Sequence, residues 1–193
     1  LNSAVNPKDE HASIGARALT GSIYKGHVFW DTEIYLLPFY TFTDPPAARA
    51  LLQYRFHTLP AARDRARRLG YQGALFAWES ADTGEDVTPD TVIAPDGRVV
   101  QVLTGIQEHH ISADVAYAVW QYWQATADEA FFLAAGADIL IETARFWVSR
   151  GRLEPDGQYH IRTVIGPDEY HESVDDNAYT NVMAQWNLER AAD

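Results

Sequence analysis

An all-α fold assembled from helical hairpins, with long ordered loops and minor β structure, is what this 193-residue sequence predicts, on three observations. Apolar residues recur at helical spacing through most of the chain after residue 44. Cap residues and prolines stand where those periodic runs begin. Strand signals are confined to two short runs that follow Asp-Gly turns. An apolar share of 47% is enough for one sizeable core, so one domain, or a large piece of one, is expected.

Asp44-Pro45-Pro46 offers a cap followed by proline at the first helical position, and predicts a helix over 47–56. Thr58-Leu59-Pro60 predicts a restart, with a second segment over 61–69 ending at Gly70, so that the two read as a hairpin. Arg63, Arg65, Arg67 and Arg68 then form a solvated face that complements the negative end of the helix dipole. Over 112–125, Val115, Val119, Trp120 and Trp123 define the core stripe of another helix. Thr126 and Glu129 have capping-box spacing, and Phe132, Ala135, Ile139, Thr143 and Phe146 keep helical spacing as far as Gly151. Asp175-Asp176-Asn177 caps a last helix with Ala178, Val182 and Trp186 on one face. Strands are expected at 99–103 and 159–165 only. The stretches near 1–28, 70–110 and 151–175 exceed ordinary connections and hold Trp, Tyr, His and Gly, which predicts ordered loops that build a site.

Net charge of −12 argues against nucleic acid as a partner, because phosphate contacts need a basic patch. The longest apolar runs, such as 34–42, are far shorter than the ~20 residues of a spanning helix, and no targeting segment opens the chain, so the default expectation is a soluble, cytoplasmic protein. With no cysteine there is neither disulfide nor thiolate metal site. Leu1 opens the chain and Met183 is the one methionine, from which a piece of a longer protein is expected.

The segment Gly166-Pro167-Asp168-Glu169-Tyr170-His171-Glu172 presents four ionisable side chains on a Gly-Pro turn. Ionising both Asp168 and Glu169 beside Ile165 and Tyr170 is costly, so one carboxyl can stay protonated near neutral pH and serve as an acid. An aromatic plate stands beside a carboxylate here and in Trp30-Asp31 and Trp78-Glu79. Sugars suit that combination: the apolar ring face packs on indole, and the hydroxyls take charge-assisted hydrogen bonds. Trp120, Trp123, Trp147 and Trp186, on helix faces, are read as core. His109 and His110 beside Glu108, and His171 between Glu169 and Glu172, lack standard ligand spacing, so no metal is expected and His109 and His110 are read as loop or helix-start residues. No phosphate-cradling glycine motif and no GxSxG elbow occurs.

Five ordered segments resemble the catalytic domain of glycoside hydrolase family 65: Gly26–Glu33, Tyr54–Leu59, Trp78–Ser80, His110–Tyr117, and Ile165–Glu172 followed by Asn177–Asn181. The similarity runs from about residue 12 to 193, and Ala77 stands where many relatives have proline. The resemblance implies an α/α-barrel of six helical hairpins, with residues 1–193 forming about half of a single catalytic domain and the usual N-terminal β-sandwich and remaining barrel helices lying outside the chain. It implies Glu169 as general acid, Trp30 and Asp31 around the reacting glucosyl unit, Trp78 and Glu79 near that pocket and the acceptor sugar, and Asp168 and His171 in support. The implied reaction is inverting phosphorolysis of an α-linked glucosyl disaccharide of trehalose, maltose or kojibiose type, giving β-glucose 1-phosphate and a free sugar. Inorganic phosphate is then co-substrate, with no cofactor, and homo-oligomerisation of the full-length protein is left open. An inverting hydrolase of the same family is the alternative, since it needs the same acid plus a carboxylate base roughly 6.5–9.5 Å away. A second alternative is a fragment that retains only carbohydrate binding.

Overall fold

The computed structural model describes residues 3–193. A π-helical turn over Thr32–Leu36 runs into α1 (Leu37–Thr43), and α2 spans Pro45–Arg68. Two short strands, β1 (Thr91–Ile93) and β2 (Val99–Gln101), precede α3 (Thr104–Gln107) and α4 (Ile111–Thr126). Next, α5 (Glu129–Phe131) passes through a second π-helical turn (Phe132–Gly136) into α6 (Ala137–Arg150). Strands β3 (Arg152–Leu153) and β4 (Tyr159–His160) and helix α7 (Ala178–Ala192) complete the chain. The strands form two antiparallel hairpins, with Thr91 opposite Gln101 and Arg152 opposite His160.

The architecture is all-α, a section of an α/α-barrel in which α1 packs on α2 and α6 on both α4 and α7. Helix α4 is central, touching α1, α2, α6 and α7, and it buries Ile111, Val115, Ala116, Val119 and Tyr122. Around it one apolar cluster gathers Leu51, Leu52, Leu59, Phe131 and Ile139, and a second gathers Leu75, Phe146, Trp147, Ile161 and Val164. The second cluster joins loop residues Leu75, Ile161 and Val164 to Ala113 of α4, Phe146 and Trp147 of α6 and Ala184 of α7.

Several sequence expectations are corrected. The two segments expected around Pro60 are one helix, α2, with Pro60 inside it. Proline at that point forfeits a helical hydrogen bond, costing about 3 kcal/mol or more; burial of Leu51, Leu52, Leu59, Ala62 and Ala66 along both halves outweighs it. Arg65 is not on a solvated face: it is buried, donates to the Phe76 and Gly105 carbonyls and pairs with Asp86 at 2.8 Å. Asp128, not Thr126, caps the helix that follows α4, accepting from Phe131 N at 3.0 Å. On α7 the buried positions are Thr180, Ala184 and Asn187, while Val182 is 65% exposed. Trp147 is core, whereas Trp120, Trp123 and Trp186 are half-buried and packed in an aromatic group with Phe132. The apolar run at 34–42, read only as too short for a membrane, is helical, and no helix among the described residues is long and apolar enough to cross one.

Candidate active site

Two loops meet through a pair of main-chain hydrogen bonds between Val28 and Ser80, at 2.8 and 3.0 Å. This bridge brings the Trp30-Asp31 and Trp78-Glu79 segments side by side, and Tyr54 secures the second by donating to the Ala81 carbonyl at 2.5 Å. Arg65 holds the same loop to α3 through the Phe76 and Gly105 carbonyls. At the loop's start Gly73 has φ +67°, and a Cβ there would lie 2.1 Å from the Glu142 carbonyl, so only glycine lets the loop lie against α6.

Asp31, Trp78 and Glu169, from three different loops, line one cleft of about 330 Å³ together with Ala16, Arg17, Tyr24 and Phe29. Phe29 stands edge-on to Trp78 with ring centroids 4.9 Å apart, and Tyr24 edge-on to Phe29 at 5.3 Å. Asp31 occupies the position before the π-helical turn but makes no capping bond with its side chain, which leaves the carboxylate to the cleft. Trp30, by contrast, is only 8% exposed and belongs to the core, where it packs edge-on against His110 at 4.8 Å and near Tyr179. Glu79 is also buried, 2.7 Å from His27 Nδ1. Neither Trp30 nor Glu79 lines the cleft.

Residues 166–172 project as the tip of a loop whose base is closed by Val164 and Val174, which exchange main-chain bonds of 2.9 and 2.8 Å. Asp168 and His171 pair with each other at 2.8 Å and are exposed, as is Tyr170 at 97%. They are placed on the tip beside Glu169 rather than among the cleft-lining residues. Partial burial, joined by the nearby Asp31 charge, raises the Glu169 pKa, against an opposing pull from His110. A carboxyl so placed keeps its proton to higher pH than an ordinary glutamate, as a general acid requires.

Beneath the cleft lies a buried polar chain that sequence reasoning missed. His110 bonds Glu108 Oε1 through Nε2 at 3.0 Å and Asp114 Oδ2 through Nδ1 at 2.6 Å, and Tyr179 donates to Asp114 Oδ1 at 2.8 Å. Burial lowers the His110 pKa, but the two carboxylates outweigh it and carry the value up to about 9. Burial pushes Glu108 up to about 7 in spite of its bond to His110. The i, i+4 spacing of His110 and Asp114 at a helix start was the available signal. A second buried pair flanks it: Arg55 reaches Glu33 through two bonds of 2.7 Å and the Phe29 carbonyl at 3.0 Å. Among the described residues no group of three His, Asp or Glu side chains is arranged to hold a metal ion. Arg17 and Tyr24 were also not singled out beforehand, while Phe29 belongs to the Gly26–Glu33 segment; all three lie in an opening segment folded back on itself, with Ala16 N bonded to the His27 carbonyl at 3.1 Å.

The family model described as "Glycosyl hydrolase family 65 central catalytic domain" matches residues 1–193. The chain belongs to glycosyl hydrolase family 65. It is 54% identical to a kojibiose phosphorylase of Caldanaerobacter subterraneus subsp. tengcongensis, over 98% of this chain and 25% of that protein. It is 43% identical to a kojibiose hydrolase of Flavobacterium johnsoniae, over 96% of this chain and 26% of that protein. A solved structure of a human-microbiome protein assigned as a kojibiose phosphorylase superposes with a TM-score of 0.85 at 32% identity, covering 98% of this chain and 26% of that one. The chain thus spans about a quarter of the length of the family 65 relatives it matches.

Proposed function

We propose that this chain carries the general acid and part of the glucosyl pocket of an inverting phosphorylase acting on an α-linked glucosyl disaccharide. The observation that carries this reading is Glu169, its pKa raised by partial burial and by Asp31, lining one cleft with Asp31 and the Trp78 ring. Trp78 offers a ring face for a pyranose, Asp31 an acceptor for its hydroxyls, and Glu169 a proton for the glycosidic oxygen. Trp30 and Glu79 act from behind, Trp30 by backing His110 and Glu79 by fixing His27. Asp168 and His171 brace the tip that bears the acid.

In the reaction the bond from the anomeric carbon to the bridging oxygen breaks as Glu169 protonates that oxygen, and a phosphate oxygen bonds to the anomeric carbon from the opposite face. The proton that phosphate gives up restores Glu169, and the products are β-glucose 1-phosphate and a free sugar. Inorganic phosphate is thus the co-substrate. Kojibiose is the substrate to assay first, because the relative named for its phosphorolysis is more similar to this chain than the relative named for its hydrolysis. Turnover of the intact enzyme should require phosphate; equal turnover in phosphate-free buffer would assign it as a hydrolase. Glu169→Gln should lower kcat by about 10²- to 10⁴-fold while sugar binding persists. Unchanged kcat would remove Glu169 from the acid role.

A further inference from the structure

Both legs of the loop that bears Glu169 are hydrogen-bonded to one residue outside it. Gln107, the last residue of α3, accepts a bond from Ile165 N at 3.0 Å with its main-chain carbonyl. Its side-chain Oε1 accepts from Ser173 N at 2.8 Å and from Ser173 Oγ at 3.1 Å. Ile165 and Ser173 stand immediately before and after the tip 166–172, so both legs of the loop are tied to the same residue. The Val164–Val174 bridge joins the legs to each other, and Val164 packs in the second apolar cluster below them.

Within the tip the side-chain bonds are local, from His171 Nδ1 to Asp168 Oδ2 and from Tyr170 N to Asp168 Oδ1. Ser173 has φ +56°, a conformation unfavourable for a non-glycine residue that persists only where its surroundings enforce it. The two bonds from Gln107 fall on that residue. The next residue, Glu108, begins the buried Glu108–His110–Asp114 chain, so Gln107 ties a mostly exposed tip to a fully buried polar group.

We propose that Gln107 is a positioning residue for the general acid, its clamp on Ile165 and Ser173 setting where the Glu169 carboxyl stands in the cleft. This rests on the reading of Glu169 as the acid. Gln107 is not among the residues lining the cleft, so its influence on the reaction passes through the loop. Proton transfer needs the carboxyl within hydrogen-bond reach of the leaving oxygen.

The test compares two substrates in the intact enzyme. The acceptor sugar of a disaccharide leaves as an alkoxide unless Glu169 protonates it, whereas α-glucosyl fluoride loses fluoride ion as phosphate bonds to the anomeric carbon and requires no proton from the enzyme. Gln107→Met keeps the side chain's length and removes its acceptor. It should lower kcat on the disaccharide by about 10- to 100-fold, with KM and turnover of the fluoride each within about threefold of the unaltered enzyme. Equal losses on both substrates, or none on either, would overturn the proposal. Should Gln107→Met fail to accumulate, Ser173→Ala removes one of the three bonds and should give the same selective loss, smaller in size; a loss shared by both substrates would again overturn it. Glu169→Gln measured in parallel separates the two readings. If it keeps its disaccharide turnover, the acid assignment falls and the clamp proposal with it. If it loses that turnover selectively and Gln107→Met does not, the clamp alone falls.

Discussion

Trp30-Asp31 and Trp78-Glu79 are the same pattern in sequence and opposite arrangements in space. In the first, the indole is buried against His110 and the acid faces the cleft. In the second, the indole lines the cleft and the acid is buried against His27. Adjacent side chains leave the backbone in different directions, and in each pair one member turns inward. Which one did so is decided by anchors outside the pair. Arg55 fixes the first segment by gripping Glu33 and the Phe29 carbonyl, while the bridge from Ser80 to Val28 and the Tyr54 hydroxyl fix the second. The cleft takes one side chain from each pair, and each partner supports it from the core.

The strongest way to break this complementarity is at the Arg55 anchor. Arg55→Ala leaves the buried Glu33 carboxylate without its cation, and should destabilise the intact enzyme by about 3–5 kcal/mol, read as a fall in denaturation midpoint. Replacing both partners with apolar residues should recover most of that loss, because the larger part of it is the stranded charge. A single variant as stable as the parent would mean that Arg55 does not fix the Trp30 segment.

A smaller effect is expected on the ligand side of the comparison. Trp78→Ala removes the cleft's indole and should weaken sugar binding by about 1–2 kcal/mol, a roughly 5- to 30-fold rise in KM. An unchanged KM would remove Trp78 from the sugar contact.

The elements that could be read in the sequence are those fixed by near neighbours. Helices α4 and α6 stand where their periodicity places them, and α7 starts where its cap does, with Asn177 accepting from Thr180 N at 3.0 Å. The tip 166–172 projects as its Gly-Pro start suggests; Gly166 is needed there because a Cβ would lie 2.4 Å from Asn177 Nδ2. Features decided by distant partners could not be read. Pro60 inside α2 depends on apolar surfaces along both halves of the helix, and Arg65 is buried because Asp86 and two carbonyls from later in the chain meet it. Among the site residues, Asp31, Trp78 and Glu169 line the cleft as their chemistry suggested, but nothing local in Trp30 or Glu79 foretold that they would face the core. His110 between Glu108 and Asp114 was missed for a related reason: two histidines beside one acid resemble a solvated helix start until burial is known.

The finest test of the two pairs is electrostatic, because only one of their acids is placed to act on Glu169. Partial burial raises the Glu169 pKa first, the charge of Asp31 raises it further, and His110 draws it down. A raised pKa keeps a general acid protonated to higher pH, so the basic limb of the kcat/KM profile should lie above the range of an ordinary glutamate. Asp31→Asn removes one of the two raising influences, and the limb should move to lower pH whatever the loss in absolute rate. Glu79→Gln removes a negative charge from the other pair, but that charge is engaged by His27 and does not act on Glu169, so the limb should stay where it is. The profiles of the two variants, measured with the same disaccharide, check this. Equal displacements would mean that Glu169 responds to the net charge of the region, and a displacement confined to Asp31→Asn that it responds to the one acid facing it across the cleft.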